Sequence, residues 1–160
     1  MTEQELLTAM ELHGDMVYAL ALCCLQNIAD AEDGFQDVFL RLYRQERLDS
    51  ADAEHTKAWL IRTTVNRCTD VMRFRFRRST LPLDELKEAA EQVDERAAEV
   101  WMAVAALPSR FRTVVHLHYA EGYSTEEIAA MLGIPSATVR TRLRRARIKL
   151  KDLLGGIENE

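Results

Sequence analysis

The stretch STEEIAAMLGIPSATVRTRLRRARIKL, from Ser124 to Leu150, decides how the chain is read. Ser124-x-x-Glu127 is a capping box: the serine hydroxyl meets the N3 amide and the glutamate reaches back to the cap amide. It opens a short helix carrying Ile128, Ala129 and Leu132. Gly133 ends that helix, Ile134-Pro135 turns the chain, and Ser136 is placed to cap the next. There Val139, Leu143, Ala146, Leu150 and Leu153 recur every three or four residues, the spacing of one buried seam. Arg140, Arg144, Arg147 and Lys151 line the opposite side, and Gly155-Gly156 is expected to end the order. A short helix, a glycine-containing turn and a capped basic helix make a helix-turn-helix. Such a helix fits the major groove, where its first turns reach base edges and flanking cations meet phosphates. Ser136, Thr138, Arg140, Thr141 and Arg144 project from those turns, whereas Arg142, Arg145, Arg147 and Lys149 suit the backbone or solvent. A plain helical hairpin with a charged surface is the bland alternative, and one-sided arginines over a buried seam weigh against it.

Upstream, the chain reads as helices throughout. Its 160 residues hold three prolines and six glycines, clustered at few positions, so long segments run uninterrupted. Thr2-x-x-Glu5 is a second capping box, opening a helix with Leu6, Met10, Val17, Leu20, Cys24 and Ile28 at helical spacing, weakened locally at His13-Gly14. Asp30 is placed to cap a second helix, with Glu32 and Asp33 in its first turn. Phe35, Val38, Phe39 and Leu42 form its buried stripe, and Asp33, Gln36, Asp37 and Arg44 the other side. A polar loop spans 45–55. Thr56 is placed to cap a third helix running to about residue 78. Ala58, Ile61, Val65, Cys68 and Met72 stripe one face, and Arg62, Asn66, Asp70, Arg73 and Arg77 run beside them. From Ser79 to Asp94 periodicity is lost, acids accumulate and Pro82 interrupts, which reads as a linker. Beyond it come a helix with Val100, Trp101, Val104 and Leu107, a stop at Pro108, and a helix capped by Ser109 with Phe111, Val114, Val115 and His118, ended by Gly122. The expected fold is therefore all-α: two small helical domains, 1–78 and 95–160, joined by an acidic linker at 79–94.

Charge is segregated along this plan. The net −5 conceals three arginines against twelve acids over residues 1–56, and seven bases against one acid over 57–78. Residues 136–160 carry seven bases against three acids. Two basic blocks in an acidic chain are candidate polyanion contacts. The first interleaves Trp59, Phe74 and Phe76 with six arginines, a composition suited to unstacked bases, though the aromatics could equally be core.

Other chemistries find little support. His116 and His118 are two apart, so on a helix they face different ways and cannot share a metal. Phosphate loop, HExxH and nucleophile-elbow patterns do not occur. No enzyme, metal or cofactor is expected. Cys23, Cys24 and Cys68 suit neither a disulfide framework nor a zinc site and read as small buried hydrophobes in a reducing cytoplasm. No run of 18 apolar residues marks a membrane span, and the acidic N-terminus is not a signal peptide.

Together these residues resemble a known family. Asp30 to Leu42 (DAEDGFQDVFLRL) resembles region 2.2 of bacterial sigma factors, and Ala58 to Arg62 (AWLIR) with Asn66 to Asp70 (NRCTD) resembles regions 2.3 and 2.4. Leu107-Pro108, Glu121-Gly122-Tyr123-Ser124-x-x-Glu127-Ile128-Ala129 and Leu132-Gly133-Ile134-Pro135-x-x-Thr138-Val139-x-x-Arg142-Leu143-x-x-Ala146 resemble region 4. Both patterns, in this order and without further regions, are similar to the extracytoplasmic-function group. The resemblance implies promoter-specific initiation with core RNA polymerase. Asp33, Gln36, Asp37 and Arg41 would contact the β′ clamp helices. Arg62, Asn66, Arg67, Asp70 and Arg73 would serve the minus-ten element. Ser136, Thr138, Arg140, Thr141, Arg144 and Arg145 would serve the minus-thirty-five duplex. The β flap, promoter DNA and an anti-sigma factor are the further partners it implies. Gly34 departs from the larger apolar residue usual there, and no residue of the 45–55 loop is assigned to a flipped-base pocket. A two-domain DNA-binding regulator that never joins polymerase is the competing reading.

Overall fold

Thr2 and Glu5 close the box predicted for them, with Glu5 N–H donating to Thr2 Oγ1 at 3.1 Å and Thr2 N–H to Glu5 Oε2 at 2.7 Å. They start α1, Glu3–Leu25. The computed structural model describes residues 1–45, 52–76 and 95–158, and every regular element among them is helical. The chain divides into two compact units, Met1–Thr80 and Leu81–Glu160.

In the first unit, α1 packs against α2 (Ile28–Arg44) and α3 (Ala53–Phe76). By length and composition α1 is apolar enough to cross a membrane, unlike the expectation from apolar runs. In the fold that apolarity meets protein: Val17, Leu20, Ala21 and Leu25 are wholly buried against the other two helices. Gln26 leaves α1 in the left-handed region at φ 53, and Asn27 starts α2 by accepting from Asp30 N–H at 2.9 Å. Asp30 is therefore not the cap; the tight exit from α1 puts the capping position three residues earlier. Val38, Phe39 and Leu42 face the core as the spacing predicts, while Phe35 is half-buried with its ring 4.8 Å from that of Phe39.

Asp52, and not Thr56, caps α3: its Oδ1 accepts from His55 N–H at 3.1 Å and its carbonyl from Thr56 N–H. Thr56 instead lies buried within the first turn. The buried stripe of α3 also runs differently, through Leu60, Ile61, Thr64 and Cys68, with Ala58, Val65 and Met72 only half-buried. Thr64 escapes a polarity-based reading because its hydroxyl satisfies itself locally, donating to Leu60 O at 2.6 Å. Cys24 and Cys68 are buried and Cys23 half-buried; a hydrogen bond to Cys24, with burial, pushes the Cys68 thiol well up. Arg77, the linker 79–94 and most of the 45–55 loop lie outside the described residues.

The second unit contains α4 (Glu95–Ala105), α5 (Ser109–Val115), a π turn (His116–Ala120), α6 (Thr125–Leu132) and α7 (Ser136–Glu158). Ser109 is the first residue of α5 and not its cap; the Pro108 carbonyl accepts from Phe111 and Arg112 N–H. Arg112 is buried, its guanidinium donating to Leu107 O. On α4, Val100 is exposed, contrary to the apolar stripe predicted there. Gly122, at φ +76, closes the π turn, with Tyr123 N–H donating to Leu117 O at 3.0 Å.

Two tests follow from this packing. A Cβ placed on buried Gly34 would sit 4.0 Å from Leu25 Cδ1, ordinary contact distance. Gly34→Ala should raise stability by about 0.5–1 kcal/mol, the helix penalty of glycine, read from a urea midpoint shift; a lower midpoint would show the site to be overfilled. His13 is buried on α1, where burial first, then Lys57, holds its imidazole below its ordinary value against an opposing Glu54. The unfolded histidine takes up a proton near pH 6.5 that the folded one refuses, so this contribution is intact above about pH 6.5 and lost as pH falls. His13→Gln should flatten the loss of stability between about pH 6.5 and 5. An unchanged slope in a melting series would remove His13 from the account.

Candidate nucleic-acid interface

The helix-turn-helix is assembled as its residues require. Glu127 N–H donates to Ser124 Oγ at 3.1 Å and Ser124 N–H to Glu127 Oε1 at 3.0 Å, completing the box at the start of α6. Gly133, at φ +69, ends α6 with its N–H on Ala129 O at 2.9 Å, and Ile134 N–H reaches the same carbonyl. The chain re-enters helix at once. Pro135 O accepts from Thr138 and Val139 N–H, so Ser136 is the first residue of α7 and not its cap. Its hydroxyl accepts instead from Arg140 Nη1 at 3.3 Å. Val139, Leu143 and Ala146 are at most 1% exposed, whereas Leu150 is half-buried and Leu153 is exposed. The seam thus ends earlier than its periodicity, and α7 runs on through Gly155-Gly156 to Glu158.

With the seam inward, the polar candidates point out. Arg140, Thr141, Arg144 and Arg145 are exposed, and Ser136 and Thr138 are half-buried at the helix start. Arg140 also lies 3.8 Å from Glu126 Oε1, across from the first turn of α6. The Glu126 carboxyl is held below its ordinary value by its own backbone N–H, then by the Thr125 hydroxyl and Arg140. Among the described residues, no acid stands within ion-pair distance of Arg144 or Arg145. Arg147 behaves differently. Its Nε donates to Tyr119 Oη at 2.6 Å, and its guanidinium lies 5.7 Å from that ring centroid. It therefore ties α7 to the π turn. Tyr119 carried no signal in the sequence, because the contact spans 28 residues.

The histidines of that turn go to separate partners. His116 Nε2 is 3.7 Å from Glu121 Oε1 and His118 Nδ1 is 2.8 Å from Tyr123 O. Burial holds His116 below its ordinary value, with Glu121 opposing.

On α3, Arg62, Asn66, Asp70 and Arg73 are exposed along one stripe, spanning roughly 16 Å at 1.5 Å per residue. Phe74 beside them is exposed, while Trp59 packs against the core. Arg67 does not join the stripe. It is half-buried, with Nε 3.1 Å from Asp37 Oδ2 on α2. The same oxygen lies 3.0 Å from Arg41 Nε. Asp37 is thus enclosed by two arginines, one on each helix, whereas Asp33 and Gln36 are exposed. Position along α2 revealed the acidic face but not this inter-helix pair.

Comparison with known proteins agrees with this geometry. Residues 9–79 match the family model for Sigma-70 region 2, and residues 97–150 that for Sigma-70, region 4. The chain is 37% identical over 158 residues to the ECF RNA polymerase sigma factor SigE of Mycolicibacterium smegmatis, across 92% of this chain and 61% of that one, so it spans under two thirds of that relative. It is 34% identical to SigM of Mycobacterium tuberculosis, covering 89% of this chain and 74% of that one. It is 30% identical to SigW of Bacillus subtilis, covering 91% and 86%. Its fold is similar to CnrH in complex with the cytosolic domain of CnrY, with a TM-score of 0.71, 27% identity, and 97% and 90% of the two chains covered. It is also similar to RpoE in complex with the anti-sigma factor NepR from Bartonella quintana, with a TM-score of 0.68, 23% identity and 96% of each chain covered.

The Asp37–Arg67 pair yields a test. Asp37→Ala should cost about 1 kcal/mol of stability, the scale of a partly exposed ion pair, whereas Gln36→Ala should be neutral. A double-mutant cycle with Arg67→Ala should show coupling. Additive effects would mean that the pair contributes nothing to the fold.

Proposed function

This chain belongs to the extracytoplasmic-function group of sigma-70 RNA polymerase sigma factors, and we propose that it joins core polymerase and directs initiation at promoters with its own minus-ten and minus-thirty-five elements. The observation that carries this reading is the coexistence, in one chain, of matches to regions 2 and 4, with exposed cations on the reading helix of the second. Residues 1–78 serve as region 2, 79–94 as the linker and 95–160 as region 4. The protein acts by recognition and not by catalysis, and it works where polymerase and promoter meet, in the cytoplasm.

Each surface has a task set by its chemistry. Asp33, Gln36 and Arg41 on α2 offer a polar, exposed docking face to the β′ clamp helices. Asp37 takes part through the carboxylate that Arg41 and Arg67 already hold. Arg62, Asn66, Asp70 and Arg73 line α3 toward the minus-ten strand, with exposed Phe74 as an aromatic surface for an unstacked base. Arg67 reaches that strand only by exchanging its Asp37 contact. On α7, Arg140, Thr141, Arg144 and Arg145 enter the minus-thirty-five groove behind Ser136 and Thr138. The β flap is the polymerase element for region 4. An anti-sigma factor is the expected antagonist, as two solved relatives are held in complexes of that kind.

The test is direct. The chain is added to purified core polymerase, bound DNA is recovered from a randomised duplex pool and sequenced, and transcription from the recovered sequences is measured. Chain-dependent transcripts are expected; duplex binding without association with core polymerase would instead identify a polymerase-independent regulator. In the same assay Arg144→Ala should relax preference at particular upstream base pairs, since an arginine–guanine contact supplies about 1–3 kcal/mol of discrimination. Lys151→Ala, at an exposed position farther along α7, should weaken all sequences alike. Uniform loss for both would remove Arg144 as a base reader.

A further inference from the structure

Beside the base-reading residues, α7 carries a second cationic stripe that faces α5. Thr138, Arg142, Arg145 and Lys149 recur at spacings of four, three and four, which places them along one side of a helix. Opposite them, Arg110 and Phe111 begin α5. Arg110, Phe111, Thr138, Thr141, Arg142 and Arg145 line a groove of about 370 Å³. The Arg110 guanidinium lies 4.7 Å from the Phe111 ring centroid, and Lys149 Nζ lies 5.6 Å from the same centroid. One aromatic ring thus gathers two cations from separate helices. Among the described residues, no acid stands within ion-pair distance of Arg110, Arg142, Arg145 or Lys149. The other flank of α7 differs, because Glu126 there faces Arg140.

We propose that Arg110, Arg142, Arg145 and Lys149 form a phosphate clamp that grips one DNA strand on the α5 side of the reading helix. The clamp rests on the reading of α7 as the duplex-binding helix and adds to it a contact from outside the helix-turn-helix. A helix seated in the major groove has a phosphate backbone on each side. Guanidinium groups with adjacent threonine hydroxyls are the donors that phosphodiester oxygens accept from. From Thr138 to Lys149 the stripe extends roughly 16 Å at 1.5 Å per residue, a length that suits a row of phosphates and that one small anion does not fill. Base identity plays no part, so the clamp sets register and affinity and leaves sequence choice to Arg140 and Arg144.

Arg110 is exposed and lies outside α7, so its truncation isolates the clamp. The assay is a salt titration of fluorescence anisotropy, using the full chain with core polymerase on the duplex recovered by the wild-type holoenzyme. Arg110→Ala should weaken binding roughly tenfold at low salt, the scale of one charge-assisted hydrogen bond. It should also make the log–log salt slope about 0.9 shallower, one phosphate fewer. The loss should be equal across single-base variants of the duplex, and Arg110→Lys should restore the slope. Inorganic phosphate, matched in ionic strength to chloride, should displace the duplex no better than chloride does. An unchanged slope and affinity in Arg110→Ala, with a wild type that binds, overturns the clamp alone. A wild-type holoenzyme that retrieves no duplex overturns the clamp and the reading beneath it. Loss confined to particular base pairs would make Arg110 a base reader. Impaired association with core polymerase would make the groove a protein-docking site. Displacement by phosphate of wild type but not of Arg110→Ala would make it a small-anion site. Each of these three outcomes also overturns the proposal.

Discussion

The burial of Val139, Leu143 and Ala146 determines the direction of every other side chain on α7. Full burial of a valine or leucine is worth about 1.5–3 kcal/mol, whereas an exposed ion pair contributes at most about 1 kcal/mol. The seam therefore sets the rotation of the helix, and the arginines take the directions left over. Arg140, Arg144 and Arg145 end in water, Arg147 on Tyr119, and Arg142 and Lys149 toward α5. A charge pattern that looks designed for DNA is, physically, the complement of an apolar one.

The first unit obeys the same priority with an added constraint. α1 buries Val17, Leu20, Ala21 and Leu25, and the absence of a side chain at Gly14 leaves room for the Phe35 ring, 3.5 Å from where a Cβ would stand. Once α2 and α3 are seated on α1, Asp37 and Arg67 are brought together at the rim of their contact. That pair results from packing and cannot drive it, since its worth is small beside the core. It nonetheless decides which of the cations on α3 is available to a nucleic acid without first leaving a partner.

What the sequence made legible was local. Capping boxes at Thr2 and Ser124, the turn at Gly133 and the seam of α7 all operate within four residues, and all appear in the structure. The misread caps share a cause. At Asp30, Thr56, Ser109 and Ser136 a residue of suitable chemistry lay near a boundary, but the preceding turn or proline placed the true start upstream. Misassigned burial at Val100, Leu153 and Thr64 has another origin: periodicity gives a face, but not whether a neighbour covers it. The pairs Asp37–Arg67 and Tyr119–Arg147, and the ring of Phe111 shared by Arg110 and Lys149, join residues that only the fold brings together. Candidate residues could therefore be named from family resemblance, but not their engagement with one another.

The π turn at His116–Ala120 makes the length of this segment matter as much as its composition. Each helical residue advances the chain by about 100° around the axis and 1.5 Å along it. Deleting one residue here would restore ordinary α geometry at no local loss of hydrogen bonding. The same deletion would swing the residues after it about a quarter-turn relative to those before. Tyr119 would then leave Arg147, and Gly122 would open the chain toward α6 in a different direction. The segment works as a phase setter between α5 and the helix-turn-helix, so an insertion or deletion of one residue is a graver change here than most substitutions.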